Sequence, residues 1–129
     1  VILDSSAVVA VAMREPGYER LLGAIASAGS LAIGTPTLVE TAIVLSARLA
    51  RDARGLVSRL LFEADVVVAP FTDAHFGTAV EAWLRFGRGR HPAALNFGDC
   101  LAYATARVAG EPLLFTGTDL ARTDIEPAV

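Results

Sequence analysis

The chain has 129 residues, is 53% hydrophobic, and carries eleven basic against fourteen acidic residues for a formal net charge of −3. That apolar fraction and small charge exclude bulk disorder, and the length fits one compact domain spanning residues 1–129. All eleven basic residues are Arg, so this acidic chain is no nonspecific nucleic-acid coater, although a local Arg patch can still serve RNA; its one cysteine, Cys100, excludes an intrachain disulfide and a Cys-rich zinc site.

Val1-Ile2-Leu3 reads as a short strand stopped by Asp4. Ser5 to Met13 reads as a helix, with Arg14-Glu15-Pro16-Gly17 as punctuation. Tyr18 to Ala28 is a second helix with Leu21, Leu22 and Ile25 on one face, closed by Gly29. Leu31-Ala32-Ile33 is a second strand. Thr35-Pro36-Thr37 opens a third helix, because proline in a first turn lacks only an N–H that had no helical partner. That helix runs to about Ala50, with Val39, Ala42, Ile43 and Ser46 on one face.

Ala53 to Ala64 is a fourth helix. Val66-Val67-Val68-Ala69-Pro70 reads as a buried strand from its continuous β-branched run. Thr72 to Phe86 is a helix capped by Thr72 or Asp73, with His75 as a solvated residue early in it. Gly87-Arg88-Gly89-Arg90-His91-Pro92 is the clear irregular loop. Phe97 or Gly98 to Val108 is helical, Leu113-Leu114-Phe115 is a fourth strand, Thr116 to Asp119 turns out of it, and Ile125 is assigned to a short fifth strand. The longest apolar run, Ala7 to Met13, is far short of the roughly 18–20 residues of a membrane span, and without a basic region before it is no signal peptide. A cytoplasmic location is the expectation.

Short apolar strands alternating with helices predict an α/β fold with a mainly parallel sheet, in which ligands bind at the carboxyl ends of the strands. Asp4 directly follows the first strand and Asp119 follows the fourth by four residues. Asp99 lies in the first turn of the helix before the fourth strand. Glu40 lies within the third helix among Leu38, Val39, Ala42, Ile43 and Val44, with Arg48 two turns away and so out of local reach.

Singly, each acid has a plain structural reading. Asp4 caps a helix, Asp99 complements a helix dipole, Asp119 is a turn residue, and Glu40 awaits a distant partner. Together they change meaning, because like charges brought close repel and raise one another's pKa. A hard divalent cation removes that conflict, and oxygen ligands without His or Cys suit Mg²⁺ or Mn²⁺. Such ions activate water for phosphodiester hydrolysis. Other chemistries fit less well. There is no phosphate-binding loop and no Lys to complete one. His75 and His91 stand beside no Ser nucleophile, Cys100 reads as core, and Trp83 and Phe86 as packing or interface residues.

The opening Val1-Ile2-Leu3-Asp4-Ser5-Ser6-Ala7, the helical Glu40, the run Leu95-Asn96-Phe97-Gly98-Asp99-Cys100, and Pro112-Leu113-Leu114-Phe115 followed by Asp119 resemble a PIN-domain ribonuclease. More narrowly, they resemble the VapC-type toxins of bacterial toxin–antitoxin pairs, over essentially the whole chain and in order. The resemblance implies a three-layer α/β/α PIN-like domain and a Mg²⁺- or Mn²⁺-dependent endoribonuclease. It implies a site of Asp4, Glu40 and Asp99, with a fourth acid near the end of the fourth strand. It also implies a homodimer and an inhibitory VapB-type antitoxin.

Family members often place the fourth acid two residues after a Thr or Ser. Here Thr118 holds that spacing from Thr116, and Asp119 comes one residue later, with Asp124 a weaker alternative. Arg88, Arg90 and His91 are the RNA-binding candidates, since an acidic site repels phosphate and the Arg fork is suited to it. The competing readings are a catalytically silent PIN-like module that binds RNA or protein, against which the three acids stand, and a phosphatase, for which a covalent Asp-x-Asp motif is missing.

Overall fold

The computed structural model describes all residues, 1–129. Four strands, β1 (Ile2–Leu3), β2 (Leu31–Gly34), β3 (Val66–Ala69) and β4 (Leu113–Leu114), form one parallel sheet in the order β3-β2-β1-β4. Helices α1 (Ser5–Ala12) and α2 (Tyr18–Ser27) connect β1 to β2. Helices α3 (Thr35–Leu49) and α4 (Arg54–Glu63) connect β2 to β3, and α5 (Asp73–Phe86) and α6 (Phe97–Ala109) connect β3 to β4.

Successive strand residues point to opposite faces, and this alternation divides the core. Leu3, Leu31, Ile33 and Leu114 join Val8, Leu21, Leu45, Val57 and Leu61 on the α1–α4 side. Ile2 and Leu113 join Phe86, Leu95, Cys100 and Tyr103 on the α5–α6 side. The result is the expected three-layer α/β/α architecture. Cys100 is a core residue as read, and its burial pushes the thiol up to about 11, so it is inert at neutral pH.

The order 3-2-1-4 fixes where a site can form. β1 lies between β2 and β4, so the chain leaves it toward one side of the sheet and β4 approaches from the other. The carboxyl ends of β1 and β4 therefore flank a topological switch point, the crevice that open α/β sheets use for ligands. Close packing brings α6 to it: a β-carbon on Gly34, at the end of β2, would lie 2.7 Å from Thr105 Oγ1 of α6.

Four readings of the sequence are corrected. The Val66–Ala69 segment is a strand but not a buried one. It is the sheet's edge, and Val67 is 65% exposed, because α5 and α6 cover β1 and β4 instead. No fifth strand forms around Ile125. Its side chain is buried, but pairing is a single bridge between Leu113 and Pro127, and proline has no N–H to extend a ladder. The fourth strand stops at Leu114, short of Phe115. His75 is buried rather than solvated: its Nδ1 accepts the Thr72 N–H at 3.0 Å, closing the first turn of α5, and its ring stacks on Phe71. Arg48, too far from Glu40 for a local pair, reaches Glu15 at 2.6 Å.

Candidate active site

Asp4 is the N-cap of α1, in extended conformation at the end of β1. Its backbone N–H donates to Leu114 O at 2.9 Å, so the β1–β4 ladder fixes where the residue stands. Its side chain is only 4% exposed. Burial raises its pKa, hydrogen bonds from the Ser6 hydroxyl and N–H oppose that rise, and the charge of Glu40 adds to it.

Asp99 sits in the first turn of α6, locked in a reciprocal capping box. Asn96 N–H donates to Asp99 Oδ2 at 3.0 Å, and Asp99 N–H donates to Asn96 Oδ1 at 2.9 Å. This pair ties two orphan helix donors and sets the carboxylate's direction. Burial first, and then the charges of Asp4, Asp119 and Glu40, push Asp99 up to about 6 despite the Asn96 hydrogen bond. Burial is the largest cause, and the three like charges add to it, so all four candidate acids share one electrostatic cluster.

Glu40 lies half-buried on α3 with its carboxylate against the start of α6. A β-carbon on Gly98 would overlap that carboxylate, standing 2.9 Å from Glu40 Cδ. Glycine leaves room for that approach, and a side chain there would push the Glu40 carboxylate aside. No group in the chain forms a salt bridge to Glu40. Asp119 is exposed in the loop after β4, where Gly117, at φ 86°, turns the chain. Asp124 is elsewhere engaged. Tyr103 Oη donates to it at 2.7 Å, and Arg107 and Arg85 reach it at 2.6 and 3.2 Å. Those partners lower its pKa against its partial burial, and make it a clamp between the C-terminal segment, α5 and α6.

The donor set suits a hard divalent cation. It is all carboxylate oxygen, and both buried Asp4 and half-buried Asp99 engage Oδ2 in helix-cap hydrogen bonds. No three His, Cys, Asp or Glu side chains close on a common point, and Mg²⁺ itself takes one or two carboxylates and keeps several waters. Asp4 and Asp99 would hold the ion, with Glu40 as a third ligand.

The Arg-bearing loop is less uniform than its sequence. Arg90 donates from Nε to Leu84 O at 2.9 Å and lays its guanidinium over the Trp83 ring, 4.9 Å from the centroid. His91 Nδ1 accepts the Ala93 N–H at 3.0 Å, and its ring meets Phe86 edge-on. Both serve the loop's own fold. Arg88 forms no ion pair and lines a cavity with Trp83, Asn96 and Phe97 beside the start of α6. Ser6, Asn96 and Gly98 hold the acids yet were not singled out from sequence. The signals were present as Asp-x-Ser, Asn-x-x-Asp and a glycine beside the acid.

An all-carboxylate cluster at the switch point of a parallel three-layer sheet defines an acid-site α/β/α protein. The PIN-domain family profile matches residues 1–126. Ribonuclease VapC36 of Mycobacterium tuberculosis is 45% identical over 126 residues, covering 97% of this chain and 91% of that protein. Ribonuclease VapC of Mycolicibacterium smegmatis is 38% identical over 124 residues, 96% of each. The chain belongs to the PIN-domain family and, within it, to the VapC ribonucleases. Solved structures agree on the fold. Mycobacterium tuberculosis VapC20, described as a sarcin-ricin loop cleaving toxin, superposes with a TM-score of 0.76 at 20% identity, over 96% of this chain and 95% of that one. A chain of a toxin–antitoxin complex from Klebsiella pneumoniae superposes with a TM-score of 0.70 at 16% identity, over 96% and 92%.

Proposed function

We propose that this protein is a Mg²⁺- or Mn²⁺-dependent endoribonuclease toxin that hydrolyses RNA phosphodiester bonds and is restrained by a VapB-type antitoxin. The observation that supports the reading is the coupling of Asp99 to Asp4, Asp119 and Glu40, with Asp99 lifted to about 6 by burial and then by those three charges. The names of its relatives as ribonucleases support the substrate class. A silent binding module would have no need to keep four repelling acids together.

When bound, the ion would neutralise phosphodiester charge and supply a nucleophile from water. The chain's own residues then have distinct tasks. Asp4 and Asp99, held through Oδ2, offer their other oxygens. Glu40, free of any salt bridge, faces the same space from α3, and Asp119 contributes as the fourth acid. Arg88 contacts a phosphate of the RNA, while Arg90 and His91 shape the loop that presents it. The antitoxin would satisfy the same acids with a basic side chain, and the Klebsiella neighbour, itself from a toxin–antitoxin complex, supports such a partner. A toxin acting on cellular RNA works in the cytoplasm, and no helix here is long and apolar enough to cross a membrane.

A second copy of the chain is the other partner. Phe76, Val80, Trp83 and Leu84 line the outer side of α5 at helical spacing, and exposed Phe97 of α6 and Ile43 of α3 continue the surface. Apolar surface this continuous marks an interface, and we assign it to a homodimer.

The deciding experiment incubates purified protein with RNA, with Mg²⁺ or with EDTA, beside Asp4→Asn. Cleavage that requires the ion and falls by orders of magnitude in the variant is expected. Equal cleavage in EDTA, or by Asp4→Asn, overturns the reading.

A further inference from the structure

Ser6 makes three hydrogen bonds where β1 and β4 end. Its N–H donates to Asp4 Oδ2 at 3.1 Å, and its hydroxyl donates to the same oxygen at 2.5 Å. Its own oxygen accepts the Thr116 N–H at 3.0 Å. A hydroxyl has one proton and two lone pairs. With Thr116 on a lone pair, the proton is aimed at Asp4.

An ordinary helix cap needs less. The Ser6 N–H alone satisfies the capping geometry of α1, so the hydroxyl is an addition. Both Ser6 donations fall on Oδ2, the Ser5 N–H adds a lesser contribution to the carboxylate, and Oδ1 is not a buried orphan. The terminal torsion of an aspartate is broad and roughly two-fold, with two equivalent oxygens, so what must be set is the plane of the carboxylate. The Ser6 N–H anchors one oxygen, and the hydroxyl, itself fixed by the Thr116 N–H, holds the plane from a second direction.

Thr116 lies outside the ladder, in the loop that turns at Gly117 and carries Asp119. The backbone of Asp4 is therefore set by Leu114 O, and its carboxylate is tied through Ser6 to the next part of the same chain segment.

We infer that Ser6 is a positioning residue: it holds Oδ2 of Asp4 so that Oδ1 alone is presented to a hard divalent cation, and it couples that orientation to the loop bearing Asp119. The inference rests on the proposed metal-carboxylate reading. It makes Asp4 a one-oxygen donor, and it makes displacement of the loop after β4 a way to release the carboxylate.

The test titrates the full chain with Mn²⁺ alone, without RNA, following free Mn²⁺ by its electron paramagnetic resonance, for wild type, Ser6→Ala, Ser6→Thr and Asp4→Asn. Losing a partner that orients a ligand typically weakens metal affinity by roughly 10–100-fold. Ser6→Ala should show that loss, and Ser6→Thr, which keeps the hydroxyl, should stay within about threefold of wild type on the same scale. Amide exchange at Thr116 in the metal-free protein should quicken in Ser6→Ala and not in Ser6→Thr.

Wild-type Mn²⁺ affinity in Ser6→Ala, with binding lost in Asp4→Asn, overturns the positioning role and leaves the metal reading standing. If Asp4→Asn also binds like wild type, the metal reading falls and takes this inference with it. Should Ser6→Ala not fold, Ser6→Cys keeps the volume with only a weak donor. Affinity equal to wild type in that variant overturns the role equally.

Discussion

Replacing Asp99 by Asn should stabilise the metal-free protein and remove its activity. In the folded chain Asp99 sits at about 6 against 3.8 for the free group, mainly through burial and then through Asp4, Asp119 and Glu40. Between these values the folded carboxyl keeps a proton that the unfolded one has released. Stability therefore falls as pH rises through the window, and the penalty is complete above the folded value. At about 1.4 kcal/mol per pH unit, the gap sets a ceiling of about 3 kcal/mol, and solvent screening of the half-exposed carboxylate brings it to roughly 2 kcal/mol. Asparagine has no charge to bury and keeps an oxygen to accept the Asn96 N–H. It loses the charge assistance in that bond and the attraction to the helix N-terminus, together roughly 1 kcal/mol. The net gain is about 1 kcal/mol, or roughly 3–5 °C in Tm for a chain of this size.

The assay is thermal melting in EDTA at about pH 8 and about pH 4, the two sides of the window. The variant should melt above wild type at the higher pH, and the difference should vanish at the lower, where the folded wild-type carboxyl is already neutral. Mg²⁺ should raise the wild-type Tm by linkage and leave the variant's nearly unchanged. An Asp99→Asn protein that melts below wild type at about pH 8, or gains equally at both values, refutes the view of Asp99 as a strained acid.

Gly98→Ala should keep the fold and weaken Mn²⁺ binding by roughly tenfold or more, as loss of an oriented ligand does, because the new β-carbon would overlap the Glu40 carboxylate; calorimetric titration reads it. Arg88→Ala should weaken RNA binding in Ca²⁺ and lower the log–log salt slope by roughly 0.7, the value for one lost phosphate contact to a single strand, and a slope identical to wild type would return Arg88 to solvent. Charges placed on the exposed apolar face, as in Ile43→Asp with Val80→Asp, should shift sedimentation from dimer to monomer without changing helix content by circular dichroism.

The sequence alone determined the local elements and their order. Apolar runs of three or four residues, separated by helices with recognisable starts at Pro36 and Thr72 and a stop at Gly110, specify an alternating α/β chain because periodicity, capping and chain-breaking are local physics. The acids were legible for the same reason: Asp4 and Asp119 follow strands, and Asp99 opens a helix. What faces what was not legible. The Val66–Val68 run has the composition of a buried strand, yet strand order puts it at the rim. His75 looks solvent-bound in sequence and Arg90 looks available to RNA, yet the His75 ring is buried under Phe71 and the Arg90 guanidinium lies on Trp83. Asp124 differs little from Asp119 along the chain, but Arg85, Arg107 and Tyr103 take it as a clamp. Gathering Asp4, Glu40, Asp99 and Asp119 from positions far apart in the chain requires β1 to pair with both β2 and β4, and α6 to press on Gly34. Those are contacts between elements, which no local pattern encodes, and they alone decide that Ser6 meets Thr116 and that one oxygen of Asp4 is left open.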